Sequence, residues 1–117
     1  TYGFHNDISY HEFEGLAVDV DERERLVTDL GSTNNMVLRN HGLLTLGGNV
    51  SDAWGRMWNL ERACQVQIMA MSTGQQLHQA PIEAIEKTAA LVGKNPAGMA
   101  WPWLLRKLDA KDPSFRN

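Results

Sequence analysis

His41 lies in the tripeptide Asn40-His41-Gly42, between the apolar runs Met36-Val37-Leu38 and Leu43-Leu44-Thr45-Leu46. An imidazole held out by two rigid strands can serve a metal, because zinc affinity depends on the direction of each ligand. The same position suits a turn or core histidine, which is the commoner role of a lone imidazole. Glu12 and Glu14 offer a second kind of chemistry. On a strand they would share one face, as an acid/base pair does, and as many solvated carboxylates also do. Arg39 precedes the turn and has the charge to hold an anion, although a strand-edge salt bridge fits it better. The other histidines make no ligand pattern: His5 and His11 stand six apart, His78 stands alone, and no His-x-His occurs. These residue types name no catalytic group.

The elements that must position His41 are legible on either side of it. The two apolar runs read as buried strands joined by a tight turn, with Gly42 placed to take a positive φ angle. Upstream, Ile8, Tyr10 and Glu12 alternate with other residues and suggest a short strand. Between this strand and the hairpin, the stretch DERERLVTDLG reads as a helix. Asp21 and Glu24 have capping-box spacing at its start, and Gly31 stands at its end. Downstream, NVSDAWGRMWNLERACQVQIMAMSTG predicts a long helix capped by Asn49 or Ser51 and closed by Gly74. Its apolar stripe runs from Val50 through Trp54, Leu60, Cys64 and Ile68 to Met71. The stripe is wide enough to predict cover on two sides. Two shorter helices follow. One has Pro81 near its start and Gly93 at its end. The other starts at Gly98, carries Pro102 in its first turn and stops before Pro113. The order strand, helix, strand, strand, helix, helix, helix predicts an α/β or α+β arrangement with few strands, part of a larger layered fold.

Composition narrows the function classes. A chain of 117 residues with net charge -3 allows one domain and a modest core. Its 43% hydrophobic and 21% charged residues fit a globular protein rather than a disordered one. Mild acidity with scattered basic residues argues against a nucleic-acid groove. No apolar run is long enough to span a bilayer, and the polar stretch Thr1 to Ser9 gives the expectation of no signal peptide. The single cysteine, Cys64, excludes an internal disulfide and a Cys-x-x-Cys metal motif. It suits a reducing compartment, so the expected location is cytoplasmic. Cys64 falls within the apolar stripe and is expected to be inert. Trp54, Trp58, Trp101 and Trp103 are much aromatic bulk for a small core, so part of it is expected to face a partner subunit or a further domain.

Five segments in order, YHEFEG, DERERL, LRNHGLLTLG, NLERACQVQ and WPWLLRKLDAKDPSFR, resemble the class II aldolase/adducin family, and its bacterial adducin-like members in particular. The resemblance runs from Tyr10 to Arg116. It implies a three-layer α/β/α fold with a central, mostly antiparallel sheet, commonly assembled as a tetramer. The family domain is about twice this length, so residues 1–117 resemble its C-terminal half. The other half normally carries a His-x-His pair for a divalent metal, usually zinc, and an acidic acid/base residue. The histidine of the NHG turn, His41 here, is the third metal ligand in that pattern.

The chemistry implied is that of a metal-dependent, zinc-type aldolase. Its metal polarises a small hydroxy-carbonyl or sugar-phosphate substrate and stabilises an enediolate, and relatives epimerise or decarboxylate. Adducin keeps the fold as a cytoskeletal binding protein, so an interaction module with a protein partner is the alternative. For the 117 residues alone the expectation is no activity, one ligand per chain, and association through uncovered apolar surface.

Overall fold

The computed structural model describes residues 2–15, 21–92 and 100–116. Three short strands, β1 (Ser9–His11), β2 (Asn35–Leu38) and β3 (Gly42–Thr45), form one sheet in the order β1-β2-β3. Helix α1 (Glu22–Leu30) joins β1 to β2. Helices α2 (Val50–Ser72), α3 (Ile82–Val92) and α4 (Ala100–Lys111) follow the hairpin. Short 3-10 turns lie at Tyr2–Phe4 and Pro113–Arg116. The element order agrees with the sequence reading. Gly93 and Gly98, assigned above to helix ends, lie outside the described residues.

The sheet is mixed. β2 and β3 are antiparallel, with Met36 opposite Leu44 and Leu38 opposite Gly42, whereas β1 runs parallel to β2 with Ser9 opposite Met36. The described strands therefore do not make the mostly antiparallel sheet expected. The reason is local: β1 reaches β2 through α1, and a helical crossover returns the chain in the same direction, whereas the short turn after β2 reverses it.

The core lies along β2 and the first half of α2. Met36 is 0% exposed and Leu60 2%. Asn35, also fully buried, belongs to a polar knot centred on Asp7. The Asp7 carboxylate accepts from the Asn34 backbone N–H at 2.7 Å, from Asn35 Nδ2 at 3.0 Å and from Arg56 Nη1 at 2.9 Å. One side chain thus ties the entry to β1, the start of β2 and helix α2. Thr45 Oγ1 adds a bond from β3 to the Ala53 carbonyl of α2 at 2.9 Å.

Helix α2 begins as its sequence predicts. Asn49 is extended at its N-cap, and its side chain accepts from Asp52 N–H at 2.9 Å. The expected cover on two sides is not found. Gly55 and Leu60 are its buried residues, while Val66, Ile68, Met69 and Met71 are each more than half exposed. Helix α2 packs on β3 and α4 near its start, and among the described residues nothing comparable covers its far half. Trp54 stacks on Trp58 with ring centres 5.7 Å apart and meets Trp101 at 5.7 Å, but Trp58 and Trp103 keep about half their surface.

The capping box expected at α1 does not form. Asp21 has helical backbone angles and makes no side-chain cap bond, and a capping side chain needs an extended backbone to reach back. Beside the sheet, a groove of about 550 Å³ runs between β1, β2, α2 and α3, lined by Phe4, Tyr10, Val37, Leu60, Ile85 and the half-buried Cys64. Among the described residues no helix is long and apolar enough to cross a membrane.

Candidate functional site

The NHG segment forms the tip of the β2–β3 hairpin. His41 N–H donates to the Leu38 carbonyl at 3.0 Å, closing a β-turn whose third residue is Asn40. Asn40, with φ +55, takes the left-handed conformation assigned above to Gly42. Asn tolerates this region better than other side chains do, and Gly42 is left free to begin β3 opposite Leu38. The end of β1 braces the turn from the side, since Arg39 N–H donates to the His11 carbonyl at 2.9 Å. His41 is exposed at this braced tip.

The carboxylates singled out from sequence do not lie on a strand. β1 ends at His11, before either of them. Glu12 pairs with Arg39 at 2.7 Å, and Arg39 also lies over the Tyr10 ring at 5.0 Å, so the salt-bridge role of Arg39 holds. Glu14 accepts two bonds from Arg25 Nε, at 2.9 and 3.0 Å.

The residue that sequence reasoning missed is His11. It ends β1 opposite Leu38, and its side chain is only 4% exposed. Nδ1 lies 2.8 Å from Asp29 Oδ2 of α1. Nε2 is buried and has no hydrogen-bond partner, and it lies 3.9 Å from a carboxylate oxygen of both Glu14 and Glu22. A cavity of about 70 Å³ joins this imidazole to the hairpin tip, lined by His11, Glu12, Glu14, Glu22, Arg39 and His41. The available signal was the placement of a histidine at the end of a strand whose partner leads into the NHG turn. His5 and His78 lie elsewhere: His5 lines the groove beside α2, and His78 sits in the loop after that helix.

A structural zinc site takes four protein ligands and a catalytic one three. Among the described residues no group of three or more His, Cys, Asp or Glu is placed to hold a metal ion. His41 offers one imidazole. The described donors therefore do not by themselves fit a metal centre.

Comparison with known proteins agrees with this architecture. The sequence profile for the class II aldolase and adducin N-terminal domain matches residues 1–68, which include β1, α1, the hairpin and the first part of α2. A Pseudomonas aeruginosa protein classed by name as an aldolase class 2 protein is 42% identical over 119 residues, covering 96% of this chain and 46% of its own length. The crystal structure of an aldolase II superfamily protein from Pseudomonas syringae superposes with a TM-score of 0.87 at 42% identity, covering 99% of this chain and 48% of that one. L-fuculose 1-phosphate aldolase from Glaciozyma antarctica superposes with a TM-score of 0.76 at 25% identity, over 95% of this chain and 43% of the enzyme. The chain thus spans about half the length of the relatives it matches. With a profile match over more than half its residues and this hairpin at the centre of the matched region, the chain belongs to the class II aldolase and adducin family.

Proposed function

We propose that this chain is part of a metal-dependent, zinc-type aldolase-like protein that cleaves, epimerises or decarboxylates a small hydroxy-carbonyl or sugar-phosphate compound. In this reading residues 1–117 supply the C-terminal half of the domain, and His41 is one ligand of a metal whose other ligands come from further chain. The observation that carries it is the braced hairpin tip. Two strands, a closed β-turn and the end of β1 fix the backbone at His41, a stiffness that suits a metal ligand and that a solvated turn histidine does not need. The likeness to L-fuculose 1-phosphate aldolase supports a substrate of the sugar-phosphate kind. The part of the chain's own residues is to present one imidazole and to border a cavity. A homo-oligomer, tetrameric as in the family pattern, is proposed on the exposed Val66, Ile68, Met69 and Met71 of α2. A cytoplasmic location rests on the lone thiol.

The test is metal content per chain, measured on the purified protein and on His41→Ala. Zinc bound by the protein and lost in the variant supports the reading. Zinc absent from both, or retained in full by the variant, counts against it. The second reading, an adducin-like interaction module with a protein partner, is supported by the matched family, whose description includes adducin. Capture of one defined protein partner by metal-free chain would support that alternative.

A further inference from the structure

The buried, unpartnered Nε2 of His11 has a cost that a native site does not carry without a reason. A polar atom taken out of water and left without a hydrogen bond destabilises the fold. The chemistry around it specifies what would satisfy it. Asp29 accepts only, so Nδ1 carries the hydrogen of that 2.8 Å bond, and in the neutral ring Nε2 turns a lone pair toward the cavity. The carboxylates of Glu14 and Glu22, each 3.9 Å away, are acceptors too. Glu14 is already held by Arg25, and Phe13, Leu26 and Leu38 complete the wall, so with the ring neutral, Nε2 and the Glu22 carboxylate are the acceptors left for an occupant that donates.

We propose that this cavity is a hydroxyl subsite. It holds the uncharged, hydroxyl-bearing end of the substrate against His11 Nε2 and the Glu22 carboxylate, and it rejects a phosphate at that end. This deepens the aldolase-like reading and rests on it for the identity of the substrate. The dimensions agree. An oxygen about 2.8 Å from both Nε2 and a Glu oxygen bridges the 3.9 Å gap at roughly 90°. A vicinal diol supplies two O–H donors, one for each acceptor. The cavity, about 70 Å³, admits several water-sized groups but not a whole sugar. A phosphate brings only acceptors and a charge of about -2 to a lining with three carboxylates, whose guanidinium, Arg39, is already paired with Glu12. An ammonium ion would also donate. However, Glu12 and Glu14 already carry the guanidinium groups of Arg39 and Arg25, so much of the charge that would favour a cation is compensated.

The test is a titration of protein with 15N-labelled histidine, read at the ring nitrogens of His11, without added metal. Glycerol, glycerol 3-phosphate and methylamine are the probes. Glycerol is expected to shift the Nε2 resonance saturably, at least tenfold more effectively than its phosphate ester or the amine. Glu22→Ala is expected to weaken the response at least tenfold. The wild-type titration decides even if that variant does not fold. An Nε2 resonance unmoved by glycerol would mean a resident water or an imidazolium, and would overturn the proposal. An equal or stronger response to glycerol 3-phosphate or to methylamine would also overturn it. Failure of the metal reading is separate: His41→Ala then leaves metal content unchanged while the His11 response to glycerol remains. Metal bound through His41 with no His11 response would overturn the subsite alone.

Discussion

Replacing Gly47 by alanine tests how tightly the hairpin is fixed to α2. A Cβ at Gly47 would meet the Ala53 backbone nitrogen and come within 2.8 Å of Asp52 Cβ and 2.9 Å of the Asp52 carbonyl carbon. Carbon atoms in van der Waals contact lie about 3.5–4.0 Å apart, so the first turn of α2 has to move by several tenths of an ångström or more. Two of the three crowded atoms are backbone, so no side-chain rotation relieves the clash. Overpacking of this kind costs about 3 kcal/mol at the upper end of its usual range. Alanine recovers up to about 1 kcal/mol by restricting the unfolded chain, which leaves a net loss of about 2 kcal/mol. Gly42→Ala is the internal control, since nothing lies within 4 Å of a Cβ there. It should be neutral or stabilising by about 0.4–1 kcal/mol. Urea unfolding followed by circular dichroism would measure both variants under identical conditions. The reasoning fails if Gly47→Ala unfolds at the wild-type midpoint, or if Gly42→Ala loses as much as Gly47→Ala.

Two further outcomes follow from the polar contacts. Asp7→Ala strips the acceptor from Arg56, which is 19% exposed, and from Asn35. A loss of about 3 kcal/mol is expected in denaturant unfolding, and Arg56→Met in the same chain should restore part of it by removing the stranded charge. At the other end of the chain, the bonds from Arg116 hold the Asp109 carboxyl below its ordinary value of 3.8. A depressed carboxyl stabilises the folded form above that value, and its contribution is lost as the pH falls through the lowered one. The Pro113–Arg116 turn should therefore loosen from α4 only in strong acid. Proton and nitrogen shifts of Arg116 should report this, and Asp109→Asn should abolish the dependence.

What the sequence made legible was mostly local. The hairpin, the Asn49 cap, the stop of α2 at Gly74 and the placement of Pro102 in the first turn of α4 each depend on residues within a few positions of one another. His41 at the tip was legible for the same reason. The errors came from features decided at a distance. Asp21 has the right neighbours for a capping box, but the backbone entering α1 is already helical. Glu12 and Glu14 look paired in sequence, yet arginines from the turn and from α1 take them apart. His11 gave no local signal because its role comes from Asp29, Glu14 and Glu22 together. Two of these carboxylates lie on α1 and become neighbours only when the crossover packs beside β1. The stripe on α2 showed how much apolar surface the helix offers, but not which elements cover it.

The lone thiol of Cys64, half-buried in the groove between the sheet, α2 and α3, equips the chain with a built-in stopwatch. Only one position per molecule can react with a thiol reagent. The rate at which it does so, set against that of a free thiol, measures how far that seam shields the sulfur. The wall formed by Leu60, Ile85 and Phe4 can thus be timed in the unmodified protein, without inserting any foreign residue.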